Sequence, residues 1–136
     1  MDTVFLQENA MWIGLAAFSG GMLLLKTLNG GGPAVTPIEA TLLINREDAL
    51  VVDVREQNEF SAGHIPNSRF IPLGQVKSRL PELDKFRDRN LIVVCRSGNR
   101  SANACSTLRK HGFTKVFNLT GGIQSWEQAS LPVTKK

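Results

Sequence analysis

The amino-acid sequence predicts an α/β fold: an open parallel sheet with helices on both faces, preceded by one N-terminal transmembrane helix. Three observations carry this reading. Two short, largely apolar runs, Leu50-Val51-Val52-Asp53-Val54 and Leu91-Ile92-Val93-Val94-Cys95, have the continuous character of buried parallel strands. Helical stretches alternate with them, as crossover connections require. Charge is also divided unevenly along the 136 residues: residues 1–30 carry only Asp2, Glu8 and Lys26, while the chain as a whole has a net charge of +4.

From Asn9 to Leu25 there are 17 residues without charge. As a helix they reach about 25 Å, and Thr27 and Leu28, with Lys26 snorkelling, bring the segment near the length a bilayer requires. Trp12 lies near one end, where interfacial aromatics belong. The expected organisation is therefore an anchor over residues 1–29 (span about 9–28), a Gly/Pro linker over 30–35 and a domain over 36–136. Acidic residues precede the span and Lys26 follows it, so the positive-inside rule places the domain on the cytoplasmic side of the inner membrane. Ala16/Gly20 and Ala17/Gly21 form a small-residue face suited to a membrane-protein partner.

In the domain, Thr36-Pro37-Ile38-Glu39 reads as a capping box. The helix that follows is expected to run to about Asn45, with Ile38, Leu42 and Leu43 facing the core. After the first buried strand, Glu56 to Ala62 is helical and stops at Gly63. Ser68 to Ile71 is a short strand, and Leu73 to Leu80 is a short helix ended by Pro81. Beyond Cys95, Ser101 to His111 forms a helix stopped by Gly112, Lys115 to Leu119 a strand, and Ile123 to Gln128 a last helix.

Two cysteines and two histidines provide neither a disulfide framework nor metal-ligand spacing, and no cofactor is expected. The modest positive charge suits small anions. It lacks the dense basic runs and interleaved aromatics of a nucleic-acid surface.

Cys95 is the candidate nucleophile. It ends a buried strand, where ligands bind in such sheets, and Arg96-Ser97-Gly98-Asn99-Arg100 leads into a helix. A glycine turn at a helix N-terminus directs backbone N–H groups inward and favours thiolate over thiol. Arg96 and Arg100 are read as drawing in and orienting an anionic substrate. Cys105 sits at core spacing beside Ala104 and Leu108, with a resolving role as the alternative. His64 is expected to be structural, and Trp126 to pack in the core or at the pocket rim.

Three motifs in order resemble the rhodanese family. They are Asp53-Val54-Arg55 with Glu59-Phe60 and Gly63-His64-Ile65-Pro66-Asn67-Ser68; Cys95 to Ser101; and Leu119-Thr120-Gly121-Gly122-Ile123 with Trp126. The resemblance spans about residues 36–133. It implies a rhodanese-like sheet and sulfane-sulfur transfer through a Cys95 persulfide, from thiosulfate or a persulfide to cyanide or a thiol. It also implies that Asp53 and Arg55 support the active-site loop. A short N-terminal anchor on a single such domain is similar to a known bacterial arrangement. Related phosphatases and arsenate reductases separate their cysteine and arginine by five residues. Here four lie between Cys95 and Arg100, which favours sulfur over phosphate chemistry. A membrane-bound scaffold with incidental turnover is the alternative function.

Overall fold

A computed structural model of the protein describes residues 32–135. The expected anchor, with its span at about 9–28, lies outside the described residues. Among the described residues, no helix is long and apolar enough to cross a membrane.

The elements are β1 (Ala34–Val35), α1 (Pro37–Glu47), β2 (Leu50–Asp53), α2 (Gln57–Ala62), β3 (Arg69–Phe70), two 3₁₀ turns (Leu73–Gln75 and Leu80–Phe86), β4 (Leu91–Val94), α3 (Asn99–Lys110), β5 (Val116–Leu119) and α4 (Gly122–Gln128). The sheet order is β1-β5-β4-β2-β3, and every pairing is parallel. The α/β architecture expected from the apolar runs is present.

Alternation along the strands sorts the core into two layers. Val52, Leu91, Val93 and Cys95 face α3 and the longer 3₁₀ turn, meeting Ala104, Cys105, Leu108 and Leu83. Val51, Ile92 and Val94 face α1 and α4, meeting Ala40, Ile123 and Trp126. Burial on both sides explains why these strands read as unbroken apolar runs.

Four local expectations change. Ala34 and Val35, placed in the linker by sequence, form an edge strand with Asn118 and Leu119 of β5. The capping box at Thr36 and Glu39 forms, but α1 buries Ala40 and packs Leu43 and Ile44 inward, leaving Ile38 68% and Leu42 45% exposed. Ala40 is small enough to let the helix lie close to the sheet, and that choice of face is invisible in a hydrophobicity pattern. Pro81 does not end a helix; it opens the second 3₁₀ turn, where a missing N–H has no consequence. Finally, α3 begins at Asn99 rather than Ser101, so Arg100 belongs to its first turn.

The connection leaving β2 runs to the β3 edge, whereas the one leaving β4 runs to β5 on the other side. The crevice between the carboxyl ends of β2 and β4 is thus the topological switch point, where ligands of open parallel sheets bind. Asp53 and Val94 are paired there, and Cys95 is the next residue.

Candidate active site

Cys95 leaves β4 with its side chain in the core layer, 1% exposed. Gly98 takes φ +109°, a conformation that favours glycine, and turns the chain into α3. This turn brings the Gly98 N–H to 2.9 Å from Cys95 Sγ. The Ser101 hydroxyl lies 3.3 Å from the same sulfur. Burial pushes the thiol pKa up. Hydrogen bonds from the Ser101 hydroxyl and from the Ser101, Gly98 and Ser97 amides outweigh it, and the net displacement is downward. These loop amides and the Ser101 hydroxyl point at the sulfur.

Two residues without a role in the sequence reading complete the cradle. Ser101 Oγ lies 3.1 Å from the Gly98 carbonyl and also contacts Asn118 Oδ1, while Asn118 Nδ2 donates to Gly98 O at 3.0 Å. The hydroxyl has one proton and several acceptors, so it turns toward Sγ when the thiolate forms. Asn118 is on β5, and nothing in its local sequence marks it as a neighbour of Cys95.

The back wall is made by the Gly121-Gly122 pair. Ile123 N–H donates to Cys95 O at 2.8 Å, and Gln124 N–H to Arg96 O at 3.3 Å. At Gly122 (φ +61°) a β-carbon would sit 2.3 Å from Cys95 O. Only glycine admits that approach.

The two loop arginines differ. Arg96 is exposed and forms no side-chain hydrogen bond or ion pair among the described residues. Arg100 is clamped: Nη1 and Nη2 donate to Glu59 Oε1 and Oε2 at 2.8 and 2.9 Å. Two of the five N–H donors of Arg100, read from sequence as orienting an anionic substrate, thus serve a carboxylate from α2. The Arg100 hydrogen bonds hold the Glu59 carboxyl down at about 2. Ser97 and Asn99 are exposed on the loop.

Asp53 and Arg55 form a buried pair with Nη2 to Oδ2 at 2.8 Å, and Arg55 Nη2 also donates to Gly63 O at 2.7 Å. They do not touch Cys95. They fix the C-terminus of α2, and α2 presents Glu59 to Arg100, so their support of the loop is indirect. His64 is 3% exposed, with Nδ1 2.9 Å from Phe60 O and its ring stacked on Phe60 at 3.8 Å. Cys105 is fully buried, and burial pushes its thiol to about 12. Trp126 is 3% exposed, and its Nε1 donates to Pro132 O at 2.9 Å. Among the described residues there is no cluster of metal-ligating side chains.

Residues 36–129 match the rhodanese-like domain model. Over 111 residues the chain is 38% identical to the uncharacterized protein YibN of Escherichia coli, covering 81% of this chain and 78% of that one. A sulfurtransferase of Allochromatium vinosum is 40% identical over 91 residues, covering 67% of this chain and 83% of the relative. The crystal structure of a rhodanese-related protein from Thermoplasma volcanium superposes with a TM-score of 0.68 at 34% identity, over 76% of this chain and 99% of that one. The described fold, the loop around Cys95 and a family match over most of the domain lead to one conclusion: the chain belongs to the rhodanese-like family.

Proposed function

We propose that the protein transfers sulfane sulfur through a persulfide on Cys95, while tethered to the inner membrane by residues 9–28 with its domain in the cytoplasm. The carrying observation is the Cys95 sulfur inside a ring of N–H and O–H donors from Ser97, Gly98 and Ser101. Relatives named as sulfurtransferases support the reaction class, among them a thiosulfate sulfurtransferase GlpE of Pseudoalteromonas translucida, 34% identical over 87 residues that cover 64% of this chain and 81% of the relative.

The chemistry is two displacements at sulfur. The Cys95 thiolate attacks the outer sulfur of thiosulfate; the S–S bond of the donor breaks, and sulfite leaves with the electron pair. Cys95 now carries a persulfide anion, stabilised by the same donors that held the thiolate. A thiol or cyanide acceptor then attacks the terminal sulfur and restores the Cys95 thiolate. No metal or cofactor takes part in these steps. Arg96, exposed at the mouth, attracts the anionic donor.

A fold relative from Rhodopseudomonas palustris, 26% identical with a TM-score of 0.68 over 75% of this chain and 84% of that one, is described as a possible tyrosine phosphatase. Four residues separate Cys95 from Arg100 in this chain, where the related phosphatases have five. The shorter loop favours the sulfur reading. Incubating the full chain with thiosulfate should add about 32 Da to Cys95 by intact mass, and Cys95→Ala should abolish both adduct and turnover. A chain that gains no sulfur from thiosulfate or persulfide donors overturns the reading. Tethering predicts retention in membranes after alkaline carbonate washing.

A further inference from the structure

We propose that the sheet edge at which the chain enters the domain docks on anionic lipid headgroups, so that the Cys95 mouth faces away from the bilayer. The proposal rests on the reading of residues 9–28 as a membrane span. It adds an orientation and a contact surface to that reading.

All five strands are parallel, and β1 begins at Ala34, with Pro33 O accepting from Asn118 N at 3.0 Å. The chain therefore enters at the amino ends of the strands. Between residue 28 and Ala34 it covers about 20 Å when fully extended, so this edge is held near the headgroups. Cys95 follows the opposite, carboxyl end of β4.

Charge is concentrated at the same edge. Arg87 and Arg89 precede β4, and Lys110 and Lys115 precede β5. Arg69 and Lys85 lie 5.1 and 5.2 Å from the Phe86 ring at the same edge, and Arg46 and Arg109 lie in the last turns of α1 and α3. These eight basic residues meet four acidic ones, Glu47, Asp48, Asp84 and Asp88. Elsewhere in residues 32–135 the six basic and six acidic residues cancel, so the entry edge holds the whole +4 of this stretch. Arg87 and Arg89 are shared with Asp84 at 2.9 Å and Asp48 at 3.3 Å. Lys110 and Lys115 are exposed and have no ion-pair partner among the described residues. Basic side chains held this close to an anionic leaflet are attracted within a Debye length, about 8 Å at physiological salt. The donor and acceptor then reach Cys95 from the aqueous phase rather than from within the bilayer.

The test uses the full chain in nanodiscs of phosphatidylcholine mixed with phosphatidylglycerol and doped with a gadolinium-chelating lipid. Amide NMR signals of residues 88–90 and 110–115 should be broadened severalfold more than those of residues 97–100. Raising the salt, or the double variant Lys110→Glu/Lys115→Glu, should bring that ratio toward one; Lys77→Glu, outside this edge, should leave it unchanged. Equal or greater broadening at residues 97–100, or a ratio insensitive to both salt and the double variant, overturns the docking while leaving the anchor reading intact. A chain that does not co-elute with the discs overturns the anchor reading and the docking with it.

Discussion

Arg100, in the first turn of α3, grips Glu59 of α2 through two parallel hydrogen bonds of 2.8 and 2.9 Å. The contact joins the helix that follows the active-site loop to the helix that Asp53 and Arg55 hold in place through Gly63. Arg100 is therefore a positioning residue. Arg100→Ala is expected to reduce kcat severalfold with little change in KM for thiosulfate, and to lower stability by about 1 kcal/mol. A change confined to KM would return Arg100 to an anion-binding role.

The same pair makes a pH prediction. The folded Glu59 carboxyl is depressed to about 2 from an ordinary 4.5. Its contribution is present above 4.5 and is lost as pH falls from there toward 2. Glu59→Gln should therefore narrow the stability gap to the wild type over that window, read by denaturant titration at successive pH values.

Arg96 is the loop arginine left exposed, next in sequence to Cys95. Arg96→Ala is expected to raise KM for thiosulfate by about threefold to tenfold with kcat retained, and to weaken the salt dependence of kcat/KM. A salt dependence equal to that of the wild type would remove the steering role.

Ser101 donates to the Cys95 sulfur, so removing its hydroxyl shifts the thiol pKa upward. Ser101→Ala should slow alkylation of Cys95 by iodoacetamide about tenfold at neutral pH, and the rates should converge at alkaline pH. Rates that stay apart at alkaline pH would point to altered access instead.

Cys105 is a buried thiol with its pKa raised to about 12. Cys105→Ala should keep persulfide formation and turnover, while lowering stability by about 1–2 kcal/mol through the cavity it leaves. An intramolecular disulfide seen by mass spectrometry in the wild type would contradict this.

Much of the active-site loop is legible because its parts are consecutive. Cys95, the Gly98 turn and the start of α3 follow one another, and a thiolate cradle needs only that local order. Glu59 and Asn118 are different. Glu59 reads locally as the residue that accepts from the Glu56 N–H in the first turn of α2, at 3.1 Å, and that role hides its second one, toward an arginine 41 positions away. Asn118 lies in a strand whose apolar neighbours set the pattern, and its amide reaches Gly98 only because β5 lies beside β4.

The residue pattern alone was enough to establish a parallel α/β sheet, a cysteine at a strand's carboxyl end and an apolar N-terminal segment. Each depends on short-range periodicity or adjacency, which the covalent chain already carries. Which arginine stays exposed, which face of α1 is buried and which residue of β5 reaches the loop were settled by packing. Those features join residues distant in sequence, and the choice depends on which side chains the assembled strands and helices bring within hydrogen-bonding reach. The two loop arginines lie four residues apart and look alike in the sequence; one is held by α2, and the other is left at the surface.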